Sequence, residues 1–396
     1  MGYPGTKQRV VIALMDGLGM DYFEKSPMPV LRRMSCEGFY RPVQAVVPTV
    51  TNVNNVSVCC GAWPDEHGIS ANSYFDPTSG QAVYMNSADL IRTETVFQRA
   101  NRQGRRGALL TSKRKTVELF HKDTEIAISA EAPPSDYVAR YGVPAEIYSS
   151  EVNEWLWRVA IDLLRTRPDL GVIYIHTTDY PMHRWAPEEE GSRKHLSRID
   201  SLIGEAREAA PDAAFLVTAD HGMNRKRRCW DLARACSEQG VPLRFALSPE
   251  RDYYIQHHRN FAGSAWIWFK RSVDLQTVWE VCWSLEGVEG VLSREEAVRQ
   301  FRLPGEYVGD LMVLGDRETV FGDLEKTGEE LSPTYRAHGS LHEVDVPLII
   351  HGWDGELPPS DTFSHNLYLT RFLFRDPSGS MGDPMIPSCF RERLPR

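Results

Sequence analysis

The chain alternates short, wholly apolar runs with longer stretches whose apolar positions recur at helical spacing. Residues 10–15 (VVIALM), 107–111 (GALLT), 171–176 (GVIYIH), 213–218 (AAFLVT) and 346–351 are short and almost entirely apolar. Such runs predict strands buried on both faces, as in a parallel sheet. Between them, 28–37 (stopped by Gly38), 90–103 (ended by Gly104) and 149–165 (capped by Ser149 or Ser150) read as helices. Residues 187–209 form a longer polar helix, with Glu188, Glu189 and Glu190 in the first turn as the helix dipole favours. A closing helix is expected over 366–374. Strand alternating with helix means an α/β fold with a mainly parallel sheet.

The texture changes twice. Residues 117–148 are less regular, with Pro133-Pro134 marking a loop. From 243 to 321, strand-like runs such as 264–270 (SAWIWFK) and 310–314 alternate with one or two helices. This reads as a smaller α+β insert, a cap over the site, between core segments 1–242 and 322–396. Residues 117–148 are a candidate further part of that cap. Residues 377–396 are rich in Pro, Gly and Ser and read as extended.

Composition narrows the function classes. The 396 residues are 42% hydrophobic and 25% charged, an ordinary soluble composition with room for one large domain plus an insert. A net charge of -9 argues against nonspecific nucleic-acid binding. There is no apolar run of membrane length, and no signal-peptide pattern precedes the first strand, so the expected location is cytoplasmic. The seven cysteines are scattered, with no C-x-x-C spacing, and read as reduced thiols.

The chemistry lies where strands end. Three of the apolar runs lead into an acid: Asp16, Asp179 and Asp220. Parallel strands end on one side of the sheet, where ligands bind. Three carboxylates gathered there repel one another unless cations compensate them. Two bring a histidine with them, Asp179-x-x-x-His183 and Asp220-His221. Carboxylates and imidazoles in this mixture suit Zn²⁺, and two such ions about 3.5–4 Å apart can clamp a phosphoryl group. Residues 48–76 (PTVTNVNNVSVCCGAWPDEHGISANSYFD) supply a second feature. Pro-Thr-x-Thr leads into a short helix over 52–60, with Thr51 where an N-cap would sit. Thr51 either caps that helix or presents its hydroxyl where backbone N–H groups favour a phosphate.

Taken together, Asp16, PTVT (48–51), DHG (220–222) and AHG (337–339) resemble the alkaline phosphatase superfamily. More narrowly, they are similar to its nucleotide pyrophosphatase/phosphodiesterase and phosphonoacetate hydrolase branch. The resemblance implies an alkaline-phosphatase-like core and two Zn²⁺ per chain. It implies that Thr51 is the nucleophile. Asp16, Thr51, Asp220 and His221 would surround one ion; Asp179, His183 and His338 would hold the other, with His342 as runner-up to His338. Asn72 would donate to a phosphoryl oxygen, although Ala71 stands where the family has Gly. Thr-x-Lys-x-Lys resembles the phosphonoacetate hydrolases, whose lysines bind the substrate carboxylate, which points to Lys113 and Lys115. The implied activity is hydrolysis of phosphonoacetate to acetate and phosphate through a phospho-threonine; the alternative is a nucleotide pyrophosphatase/phosphodiesterase acting on phosphodiesters. The expected partner is a small phosphonate or phosphate ester, with no nucleic-acid polymer and no membrane; a homodimer stays open. His67 and His176 read as packed or as neighbours of ligands, and His257 and His258 as solvent-facing.

Overall fold

In the computed structural model of the protein, residues 8–253, 259–270 and 273–374 are described; His257, His258 and 377–396 lie outside these residues. Seven strands make the central sheet. Their order is Phe39–Gln44, Asp345–His351, Ala214–Thr218, Val10–Leu14, Leu170–His176, Arg106–Thr111, Ile126–Ser129. Val10–Leu14 sits in the middle and pairs in parallel with Leu170–His176 and Ala214–Thr218, with Leu14 opposite His176 and Thr218. This register brings the three acid-bearing strand ends level with one another. Every residue of these three strands is buried, as strands covered on both faces require. Asp345–His351 runs against both of its neighbours in the sheet.

A second, four-stranded sheet is antiparallel throughout: Leu243–Leu247, Ser264–Phe269, Leu311–Gly315 and Val288–Ser293. Helices Leu275–Ser284 and Arg294–Phe301 belong to the same stretch. Trp266, Phe301 and Met312 form a core of their own, and Ala71 and Phe75 join it from beside Asn72. That shared packing presses the second sheet against the Thr51 segment. It carries the loop after Leu243–Leu247 to the mouth of the site.

Several elements differ from the pattern-based expectation. Phe39–Gln44 shows no strand pattern, because its residues are mostly only partly buried and Pro42 interrupts it. It is an edge strand, where a proline's missing N–H does no harm. Part of the irregular stretch 117–148 is the opposite edge strand, Ile126–Ser129. The helix expected over 90–103 starts late, at Val96, because Thr95 and Gln98 form a capping box. The closing helix is a single turn, Tyr368–Arg371. Among the described residues there is no helix long and apolar enough to cross a membrane. Cys59 and Cys60 are buried free thiols.

Candidate metal centre and nucleophile

The helix after Pro-Thr-x-Thr begins one residue earlier than its sequence suggests. Val50 is the N-cap and Thr51 the first helical residue of Thr51–Cys60. The Thr51 hydroxyl therefore does not cap the helix. Its Oγ1 lies 3.5 Å from His221 Nε2. Thr49 plays the anchoring part instead, donating from Oγ1 to the Ser340 carbonyl at 2.8 Å and accepting from the Gly339 N–H at 3.0 Å. It ties the Thr51 segment to the loop that carries His338.

Asp16, Asp179, Asp220, His183, His221 and His338 are all buried around that point. His221 Nε2 is 3.5 Å from both an Asp16 and an Asp220 oxygen. Asp179 Oδ2 is 2.8 Å from His183 Nε2 and 3.7 Å from His338 Nε2. His342 is elsewhere, its Nε2 3.0 Å from Glu289 near the surface. The three histidines share one orientation. Nδ1 meets a backbone carbonyl in each: Arg336 for His183, Gly222 for His221, Thr49 for His338, at 2.7–2.9 Å. A carbonyl can only accept, so Nδ1 carries the proton and Nε2 keeps its lone pair for an ion.

The donors fit a pair of metal ions. Among the described residues, Oδ2 of Asp220 and Nε2 of His338 are buried without a hydrogen-bond partner, and neither oxygen of Asp16 has one at ordinary hydrogen-bond geometry. That state costs free energy unless something outside the protein fills it. Ligand atoms fall into two groups, Asp179 with His221 and His338, and Asp16 with His176 and Asp220. Burial and Asp16 together push the Asp220 carboxyl far above its usual range. Burial and Asp179 push Asp16 the same way, yet His176 and Lys113 carry it below its usual range. Burial, with His221 and His183 adding to it, keeps His338 neutral.

Lys113 is buried beside this cluster; burial opposes its charge, but Asp179, Asp16, Asp252 and Glu250 raise it above the usual lysine value. Lys115 is buried in an ion pair with Asp252. Asn72 stands beside the start of the Thr51 helix, where its Oδ1 accepts from the Asn52 N–H and its Nδ2 donates to the Glu250 carbonyl, both at 3.3 Å. His67 is used up by the core: Nε2 meets Ser57 Oγ at 2.8 Å, Nδ1 accepts from the Ile69 N–H, and burial lowers it to about 3.

Two acids near the site, Glu250 and Asp252, escape sequence reasoning. Glu250 comes from the second sheet's loop, with Oε1 3.9 Å from His338 Nε2 and Oε2 buried without a partner among the described residues. No periodicity or strand end marks either acid. His176, expected to be packed or a neighbour of ligands, stands inside the Asp16 and Asp220 group. Its signal is that an imidazole closes a buried strand whose other residues, Tyr174 apart, are apolar.

These features define an alkaline-phosphatase-like fold with a candidate two-ion centre at the C-terminal edge of its sheet. The sequence profile of the type I phosphodiesterase / nucleotide pyrophosphatase family matches residues 10–341, and the chain belongs to that family. It is a branch of the alkaline phosphatase superfamily. The fold is similar to phosphonoacetate hydrolase from Sinorhizobium meliloti 1021, solved with phosphonoacetate: TM-score 0.83, 28% identity, over 93% of this chain and 96% of that one. Murine ectonucleotide pyrophosphatase / phosphodiesterase 5 shares the fold at TM-score 0.63 and 18% identity, over 87% and 88% of the two chains. Venom phosphodiesterase of Naja atra is 25% identical over 229 residues, 54% of this chain and 26% of that protein. The chain thus matches about a quarter of that relative's length.

Proposed function

We propose that the protein is a metal-dependent phosphoryl-transfer hydrolase, with Thr51 as nucleophile and a small anionic phosphonate of the phosphonoacetate type as substrate. The observation that carries this reading is the Thr51 hydroxyl at a helix N-terminus, 3.5 Å from His221, beside buried Asp16 oxygens and an Asp220 Oδ2 that have no hydrogen-bond partner among the described residues. Two zinc ions, held by Asp16, Thr51, Asp220 and His221 and by Asp179, His183 and His338, would supply Lewis-acid charge and lower the pKa of the attacking group. Thr51 Oγ1 bonds to phosphorus while the bond opposite it breaks. In a phosphonoacetate the electron pair passes to the carbon beside the carboxylate, where it is delocalised, and that carbon takes up the proton the hydroxyl gives up. Water then cleaves the phospho-threonine, releasing phosphate and restoring Thr51. The N–H groups of the first helical turn and Asn72 face the phosphoryl oxygens. Lys113 and Lys115 hold the substrate carboxylate through charge-assisted hydrogen bonds. Lys113 carries the greater share, because Lys115 already neutralises Asp252.

The test is a substrate panel on zinc-loaded protein. Phosphonoacetate should release phosphate, Thr51→Ala should abolish turnover while binding metal, and Lys113→Ala should raise KM for phosphonoacetate more than for a neutral aryl phosphodiester. Brisk cleavage of nucleotide or aryl diesters, with no phosphate from phosphonoacetate and no effect of Lys113→Ala, would replace this reading with a phosphodiesterase.

A further inference from the structure

Four buried histidines stand around the strand ends, and one differs from the rest. His183, His221 and His338 turn Nδ1–H to a carbonyl and point Nε2 toward the acids. Among the described residues, His176 has no carbonyl as a hydrogen-bond partner. Its Nδ1 lies 3.1 Å from Asn55 Nδ2 and 3.2 Å from Thr111 Oγ1.

The orientation of Asn55 decides the tautomer. Tyr174 is fully buried, and its hydroxyl meets Asn55 Oδ1 at 2.8 Å. Among the described residues that is the hydroxyl's hydrogen-bond partner, and a buried phenol needs an acceptor. Asn55 therefore gives its oxygen to Tyr174 and its NH₂ to His176. Nδ1 of His176 accepts, so Nε2 carries the proton. That nitrogen lies 3.4 Å from Asp16 Oδ2, too long for a formed hydrogen bond, and among the described residues it has no hydrogen-bond partner. Distances alone leave His176 as a third ligand, because Asp16, His176 and Asp220 bring ligand atoms within 4.8 Å of one another. A protonated Nε2 has no lone pair to give. It can only donate.

We propose that His176 is a positioning residue: the Tyr174–Asn55–His176 relay turns an N–H toward Asp16 Oδ2, favouring the carboxylate orientation in which Oδ1 would face an ion held with Asp220 and His221. The relay biases the orientation of Asp16 while the ion is absent. It also spares that acid a choice between two rotamers when the ion arrives. Asp16 lies in the loop after its strand, and its backbone N–H is held by Thr177 Oγ1 at 2.9 Å. The backbone is thus held from one side, while the carboxylate has an N–H turned toward it from the other.

This inference rests on the two-ion reading, and the experiment separates the two. Zn²⁺ binding to metal-free protein is measured by competition with a chromophoric chelator, beside the thermal melt of the metal-free form. Wild type should bind two ions. His176→Leu should weaken one site by about 10–100-fold, the usual cost of losing such an outer partner, and leave the other unchanged. His176→Gln should recover most of that loss, since Gln Nε2 donates from nearly the same place. Tyr174→Phe should weaken the same site by less. Wild type binding fewer than two ions overturns the metal reading and this one with it. Two ions in wild type, with His176→Leu binding both as tightly, overturns only the relay. So does His176→Gln as weak as His176→Leu, which would return His176 to the ligand set.

Discussion

Two buried charge clusters lie one loop apart, and they are built on opposite terms. In the first, Glu343 Oε1 accepts from Lys226 Nζ at 2.8 Å and Asn224 Nδ2 at 2.7 Å, while Oε2 accepts from the Ser340 N–H at 2.9 Å and its hydroxyl at 2.7 Å. Lys226 and Glu343 are both completely shielded from solvent. In the second, three acids crowd together, and the best that Asp16 receives is the long approach of His176 at 3.4 Å. The first cluster closes its own charges; the second leaves both Asp16 oxygens and Asp220 Oδ2 open among the described residues. A buried carboxylate with four donors is a structural part. A buried group of acids short of donors is a site for something that arrives from outside. The two are joined: the Gly222 N–H, next to His221, donates to the Glu343 carbonyl at 2.7 Å, and Ser340 belongs to the His338 loop. The closed cluster is the footing on which the open one stands.

Substitutions can break this contrast. Lys226→Met leaves a buried carboxylate with no counter-charge, and should cost about 3–5 kcal/mol of stability. Urea unfolding of metal-free protein checks it; a loss below about 1 kcal/mol would put the pair with ordinary surface bridges. Asp220→Asn should do the reverse. It removes one of three mutually repelling acids, so the metal-free protein at about pH 8 should melt higher than wild type. Metal affinity should still fall by at least about a hundredfold, or about 2.7 kcal/mol. If Asp220→Asn instead lowers the melting temperature, the acids are not the strained group described here.

The same contrast explains what the sequence could reveal. Strand ends were legible because wholly apolar runs in a parallel sheet must stop at one edge, and Asp16, Asp179 and Asp220 follow such runs. Thr51, His221 and His338 were legible through local motifs. Thr51 was misplaced by one helical position, because a Thr before a helix looks like a cap until the preceding Val50 is seen in an extended conformation. The Phe39–Gln44 strand was hidden because an edge strand buries too little to show alternation. Glu250 and Asp252 were invisible for a different reason. They reach the site only through the packing of the second sheet on Phe75, which no local pattern encodes. Lys226 and Glu343 lie 117 positions apart and carry no motif at all.

The smallest expected effect is also the most direct reading of the closed cluster. Burial alone would raise the Glu343 carboxyl, but Lys226, Asn224 and Ser340 together carry it below its usual range. A carboxyl whose folded pKa is depressed contributes stability that is fully present above its unfolded value and is lost as pH falls through the folded one. Its unfolded value is about 4.5. The stability difference between wild type and Glu343→Gln should therefore be constant from neutral pH down to about 4.5 and shrink below it. The shrinkage should be smaller than the effect of Lys226→Met, because a protonated Glu343 still accepts hydrogen bonds and carries no unpaired charge. Unfolding in chelator across about pH 3–7 measures it without interference from bound metal. A difference that stays flat through the acid range would mean that Glu343 is not held ionised by Lys226, and the cluster would lose its claim to be closed.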